Sequence, residues 1–243
     1  LHPSEPNYIW MEAGDNLGIT TDDDPAVNHK STTSHLTSYL DAVGVTWRSY
    51  QEDITGTECP LTGVGKYAPK HNPNVFFDDA TGSNDPNYQY CIDHNRPLTQ
   101  LESDLAAGSV AQYNFITPNL CNDMHDSCPP LSNSIKQGDT WLSQWIPKIQ
   151  ASAQYQNAGA ILLTFDEAES TVLSGNVCCI LANCPIGLIA LSPLAKTGYK
   201  NTLTYDHSSL LKSVQMIFNS SPLLGHAADP GVNDLGDLFS AFP

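Results

Sequence analysis

Apolar residues in this chain fall into short runs with two different periods. Residues 35–43 place Leu36, Tyr39, Leu40 and Val43 at helical spacing, and Gly44 stops the pattern. Residues 45–50 alternate as a short strand. Residues 98–107 form a second helix, ended by Gly108, and residues 112–117 a second strand, closed by Pro118. Residues 138–152 are amphipathic, with Trp141, Leu142, Trp145, Ile146 and Ile149 on the apolar side and Pro147 as a predicted kink. Residues 160–165 and 187–191 are unbroken apolar runs, the pattern of strands covered on both faces. Residues 208–218 read as a final helix.

Between these elements lie segments rich in turn formers. Residues 13–30 are polar and acidic and read as a loop. Their Asp22-Asp23-Asp24 run lacks the spacing and the glycine of a calcium hand, so it reads as a solvated stretch. Residues 51–95 form a long excursion around a short apolar Val75-Phe76-Phe77. Helices alternating with short apolar strands predict an α/β domain with a mostly parallel sheet and helices on both faces. No linker divides the 243 residues, so one domain over residues 1–243 is expected.

Charge narrows the partners. Acidic residues outnumber basic ones 26 to 10, for a formal charge of −16. A surface this acidic lacks the footprint for nucleic acid or an anionic bilayer, and neither is expected as a partner. The longest uncharged stretch, residues 170–195, is broken by Gly175, Pro185, Gly187 and Pro193, so it does not read as a membrane span. The chain starts at Leu1 rather than Met, which suggests a processed or partial chain.

Seven cysteines contain no Cys-x-x-Cys pair, so disulfides in a secreted protein are the expected use. The pairs expected are Cys59–Cys91, Cys121–Cys128, and Cys184 with Cys178 or Cys179; spacing leaves the connectivity open. Asn219-Ser220-Ser221 is a sequon for an N-glycan in the same compartment.

In open α/β sheets, ligands sit beyond the carboxyl ends of strands. The strand over residues 112–117 is followed by Asn119, Asp123, His125 and Asp126. The run over residues 160–165 is followed by Asp166-Glu167, and Tyr205-Asp206-His207 precedes the last helix. Carboxylates with imidazoles suit a divalent metal ion. Beside a hydroxyl, such as Ser4 of His2-Pro3-Ser4, that set suits attack on a phosphate ester.

His2-Pro3-Ser4-Glu5-Pro6-Asn7-Tyr8 resembles the signature of secreted acid phosphatases in the phosphoesterase family, which also contains bacterial phospholipases C and belongs to the alkaline phosphatase superfamily. Similar motifs follow in family order. They include Ser49-Tyr50-Gln51-Glu52-Asp53, residues 67–73, residues 114–126, Gly138-Asp139-Thr140-Trp141-Leu142, Thr164-Phe165-Asp166-Glu167 and His207-Ser208-Ser209-Leu210-Leu211.

The resemblance implies a three-layer α/β/α sandwich of the alkaline phosphatase type and a metal-dependent hydrolase of phosphate monoesters. It implies Ser4 as nucleophile, His125 and His207 as catalytic partners, and His2, Asn119, Lys70 and His71 as substrate contacts. Asp166, Glu167 and Asp126 are the implied ligands of a divalent ion, for which calcium and zinc are the candidates. The substrate would be a small phosphate ester. A phosphodiesterase or phospholipase C, or a non-catalytic secreted glycoprotein of the same fold, are the alternatives. Relatives open with an apolar strand carrying a Met-Glu-Asn metal element before the His-Pro-Ser segment. Met11-Glu12 lies after that segment and does not replace it, so such a strand and its ligands are expected to be lacking here.

Overall fold

A computed structural model describes residues 1–168 and 185–242 of the chain. Its helices are α1 (Glu5–Ala13), α2 (Pro25–Asn28), α3 (Leu36–Ala42), α4 (Asp78–Thr81), α5 (Gln89–His94), α6 (Leu98–Ala107), α7 (Ser134–Gln150), α8 (Ala153–Gln156) and α9 (His207–Ile217). Its strands are β1 (Trp47–Gln51), β2 (Asn95–Pro97), β3 (Tyr113–Thr117), β4 (Ile161–Thr164) and β5 (Leu188–Leu191).

Strand β1 lies between β2 and β3, and both pair with it in parallel. Successive side chains of a strand point to opposite faces, and β1 uses both. Trp47 packs with Leu36 and Leu40 of α3 and with Leu211 and Val214 of α9. Tyr50 packs with Leu98 and Leu101 of α6 and Trp141 of α7. The Tyr50 hydroxyl and the Arg48 guanidinium both donate to Asp104 of α6 at 2.6 Å, so the polar end of that face is satisfied as well. The parallel α/β unit expected from the alternation of elements is therefore present.

The second sheet departs from expectation. Strands β4 and β5 pair with each other, antiparallel, with Ile161 opposite Leu191 and Thr164 opposite Leu188. The expectation that these runs are covered on both faces is also corrected. Every β4 residue is only half-buried, Ile189 is 52% exposed and the adjoining Phe165 is 40% exposed. An apolar run states that a strand is favoured there; its direction and cover are set by whichever elements pack on it.

Helix α1 was not signalled by periodicity. Seven of its nine residues are buried, including Glu5, Asn7 and Glu12, so it has no solvent stripe to give an amphipathic pattern. It packs against α9, α3 and the turn at Pro73–Phe76, with Ile9 and Ala13 joining Ile19, Val75, Phe76 and Phe77 in a core cluster. The Trp10 indole donates to Ser208 Oγ of α9 at 2.8 Å. Its C-terminus ends at Gly14 (φ +72°), where a Cβ would meet the Leu224 carbonyl oxygen at 2.4 Å. Only glycine allows both that backbone and that approach.

A buried charge network fixes the other side of α1. Glu12 Oε1 accepts from the Thr37 backbone N–H at 2.7 Å and the Thr37 hydroxyl at 2.6 Å. His35 Nδ1 lies 3.3 Å from the same oxygen, and its Nε2 lies 2.9 Å from Asp79 Oδ1. The ring stacks on Phe77 at 4.1 Å and is 1% exposed. Burial alone would lower its pKa, but bonds to Asp79 and Glu12 outweigh it and raise it to about 9.

Two of the disulfides expected from the sequence are formed, Cys59–Cys91 and Cys121–Cys128. The pairing expected for Cys184 with Cys178 or Cys179 falls outside the described residues. Pro147 lies inside α7, which runs on to Gln150. No helix among the described residues is long and apolar enough to cross a membrane.

The His35 network gives stability a pH dependence. A histidine at about 9 in the fold and near 6.5 when unfolded contributes fully below pH 6.5, and the contribution fades as pH rises to 9. Its size is roughly 3 kcal/mol. Urea denaturation should show wild-type stability falling across that window. His35→Gln should be less stable at pH 6 and lose that slope; an unchanged slope would dismiss the charged network.

Candidate functional site

The site is assembled around the first turn of α1. Ser4, 4% exposed, adopts helical backbone angles just before Glu5, and its carbonyl accepts from the Asn7 and Tyr8 amides. Its hydroxyl donates to Glu167 Oε1 at 3.0 Å, across 163 residues of sequence. His2 Nδ1 lies 2.5 Å from Glu167 Oε2, without the alignment of a hydrogen bond. Strand β4 delivers Asp166 and Glu167 at its carboxyl end. His207, the first residue of α9, donates from Nε2 to the Asp166 carbonyl at 2.6 Å and so ties that end down. Burial lowers the His207 pKa against a smaller opposing pull from Asp166.

A ring of side chains returns from Ser4 to α1. The Glu5 amide donates to Asp22 Oδ1 at 3.0 Å, and Lys70 Nζ donates to Asp22 Oδ2 at 2.8 Å. Lys70 Nζ also donates to His125 Nε2 at 3.2 Å, which makes Nδ1 the protonated nitrogen facing Asp126 Oδ1 at 2.9 Å. His125 meets His71 edge-on at 5.7 Å. His71 bonds Asp123 Oδ2 through Nδ1 at 3.0 Å and stacks on Tyr8 at 4.9 Å, one turn beyond Ser4. Tyr8 is held well above its ordinary pKa, by burial first and then by Asp166, Asp123 and Glu167.

The loop carrying Asp123, His125 and Asp126 is pinned by one amide. Gln137 of α7 donates to the carbonyls of Cys121 and Asp126 and accepts from the Cys128 amide. Gly138 lets the loop lie close, since a Cβ there would meet the Met124 side chain at 2.3 Å. Asn119, expected to touch substrate, is spent on the same loop. Its side chain accepts from the Cys121 and Asn122 amides and donates to Asp53.

The carboxylate pair suits a cation in its chemistry. Burial and then the charge of Asp166 push the Glu167 pKa up. Asp166 Oδ2 is buried with no hydrogen-bond partner, as is His71 Nε2. Two adjacent oxygen ligands with an unanswered buried charge are what a divalent ion would relieve. The expected third ligand is not assembled with them. Asp126 is engaged by Lys66 at 3.0 Å and by His125, and among the described residues no three His, Cys, Asp or Glu side chains are gathered to hold an ion. Hydrogen bonds from His125 and then Lys66 hold the Asp126 pKa low.

The structure thus brings His2, Ser4, Asp166, Glu167 and His207 into one group and Lys70, His71, His125 and Asp126 into the adjoining arc. It adds Glu5, Tyr8, Asp22 and Asp123, to which sequence reasoning gave no role in the site. Asp123 stood in a quoted motif. Asp22 stood in an acidic run that reads as solvent-facing until Lys70 is found against it.

Residues 1–221 match the model of the phosphoesterase family. The chain is 30% identical to a probable acid phosphatase of Kluyveromyces lactis, over 96% of this chain and 53% of that protein. It is 30% identical to an acid phosphatase of Aspergillus fumigatus, over 88% of this chain and 45% of that protein. A phosphatidylinositol-3-phosphatase of Mycobacterium tuberculosis is 28% identical, over 96% of this chain and 68% of that protein. The chain spans about half the length of the fungal relatives it matches. Because that match spans residues 1–221, from the turn that holds Ser4 to helix α9, the chain belongs to the phosphoesterase family.

Proposed function

We propose that this chain hydrolyses phosphate monoesters with Ser4 as nucleophile. The observation that carries the reading is the hydrogen bond from Ser4 Oγ to Glu167. It aims a buried hydroxyl at the edge of a carboxylate pair, in a family of phosphoesterases that includes the acid phosphatase of Aspergillus fumigatus.

Ser4 Oγ forms the new bond to phosphorus as the bond to the alcohol oxygen breaks. The hydroxyl proton leaves through Glu167, its acceptor. The departing oxygen takes a proton from Nε2 of exposed His125 in its imidazolium form, with Nδ1 held by Asp126 and Nε2 released as Lys70 turns to the phosphate; the water that next attacks gives its proton back to that nitrogen, and Glu167 returns its own to Ser4. Water then cleaves the phosphoserine, releasing phosphate and restoring the hydroxyl. Lys70 meets the phosphate oxygens, joined by His71 through Nε2 when that ring carries a second proton. His207 acts as a positioning residue, because its Nε2 is committed to the Asp166 carbonyl. Asp166 and Glu167 are the residues that would hold a divalent cation, which when bound supplies positive charge to favour the serine alkoxide and to mask the phosphate.

The wider reading is a secreted enzyme with an alkaline phosphatase-like three-layer domain. Two disulfides support the compartment, and Asn219, exposed just after α9, is accessible for a glycan. A small soluble ester fits better than a lipid at an anionic membrane, given the charge of −16.

Release of p-nitrophenol from its phosphate monoester tests the reading. Ser4→Ala should lose about four orders of magnitude in kcat with the fold intact by circular dichroism. Preferential turnover of the bis(p-nitrophenyl) diester would move the assignment to a phosphodiesterase, and no turnover of either to a binding protein.

Asp166→Asn removes one charge without changing shape. Wild-type turnover should be abolished by EDTA and restored by a divalent ion, and the variant should need at least about 100-fold more ion for the same rate. Chelator-insensitive turnover would remove the cation from the mechanism.

A further inference from the structure

From the oxygen atoms that converge on Asn28, we infer a calcium site formed by the loop at residues 21–28 and Glu5, separate from the Asp166–Glu167 pair. Asn28 Nδ2 lies 2.9 Å from Glu5 Oε1, 3.3 Å from the Thr21 carbonyl oxygen, 3.2 Å from Thr21 Oγ1 and 3.5 Å from the Asp23 carbonyl oxygen. An amide has two hydrogens on nitrogen, so it cannot serve four acceptors well. Rotation of the amide by half a turn exchanges its nitrogen for its oxygen, and the two orientations are told apart only by their partners. With Oδ1 turned inward the cluster becomes all oxygen. Two oxygens bound to one calcium at about 2.4 Å lie about 3.4 Å apart in an octahedron, and closer at higher coordination. The separations from Asn28 match that spacing.

Glu5 supplies the second, independent observation. Its side chain is fully buried, and Oε2 has no hydrogen-bond partner. The nearby acidic residues, Asp22, Asp23 and Asp24, add negative charge around it. Lys70 does not answer Glu5, because it is bonded to Asp22 and His125. A buried carboxylate in an acidic loop, with one oxygen unused, needs either a proton or a cation. A proton occupies one oxygen of Glu5, whereas a cation uses both.

The ligand set is then Glu5 Oε1 and Oε2, Thr21 O and Oγ1, Asp23 O and Asn28 Oδ1, with water completing the shell on the exposed side of Thr21 and Asp23. Oxygen-only, irregular and partly neutral ligands suit calcium over zinc, which takes nitrogen and sulfur, and over magnesium, which demands a near-ideal octahedron and keeps its own water. One carboxylate ligand places the dissociation constant at about 0.1–1 mM. Binding there would clamp the loop onto the first turn of α1, one residue from Ser4.

Thermal unfolding at pH 7.5 and constant ionic strength tests the site, in EDTA and in 10 mM calcium or magnesium chloride. Calcium should raise the wild-type Tm by about 5 °C, and magnesium much less. Asp166→Asn, in which the catalytic pair is disabled, should still be stabilised by calcium, which separates this site from the catalytic proposal. Glu5→Gln, a neutral isostere placed in that Asp166→Asn background, should fold in EDTA and show a response under about 1 °C. Asn28→Asp should be less stable in EDTA, because it faces Glu5, and should bind calcium about tenfold more tightly by titration calorimetry. The inference is overturned if wild type shows no calcium response or if Glu5→Gln retains it. It is equally overturned if Asn28→Asp binds calcium no more tightly than wild type.

Discussion

Negative charge buried around helix α1 is the constraint on which the rest of this structure turns. The helix carries Glu5 at one end and Glu12 at the other, both out of solvent, and it packs beside Asp166 and Glu167. Each carboxylate must find compensation. Glu12 finds it in Thr37 and the charged ring of His35, an arrangement complete within the chain. Glu167 finds part of it in the hydroxyl of Ser4 and the imidazole of His2. Glu5 and Asp166 each keep an oxygen with no partner. The first pattern builds a rigid scaffold; the last two leave charge for something outside the chain to answer.

The scaffold and the reactive groups are held by different means. The C-terminal half of α1 is fixed by close backbone approach at Gly14, by the Trp10–Ser208 bond and, through Glu12, by His35. Those contacts belong to buried, satisfied structure. The carboxyl end of β4 is fixed by one histidine on one carbonyl, and the loop bearing His125 by one glutamine and one disulfide. Rigid placement of loop residues by a few buried polar contacts is what a site needs when its geometry must persist while its outer face meets solvent.

Local pattern carried much of the fold. The helix over residues 98–107 coincides with Leu98–Ala107, and the spacing of Leu36 and Leu40 locates α3. Glycine at 44 and 108 ends both, since each takes a positive φ that a helix cannot continue. Helix α1 escaped because burial on nearly every side erases the periodic signal. The antiparallel pairing of β4 with β5, and the partial exposure of both, escaped because an apolar run is blind to its neighbours.

The candidate site divides along the same line. Residue type and chain order disclosed Ser4, Asp166, Glu167, His125 and His207, because hydroxyl, carboxylate and imidazole chemistry follows directly from the side chains. Spacing could not say that Asp126 pairs with Lys66 and not with Asp166, or that Asn119 is consumed by its own turn. Nor could it show that Asp22 holds Lys70 in the ring, or that Thr21, Asp23 and Asn28 turn their oxygens and amide towards Glu5. Sequence by itself determined which chemistry the chain carries and where its regular elements begin and end. Only the tertiary structure decided which charges are neutralised, because compensation depends on distances of a few ångströms between residues up to 163 positions apart.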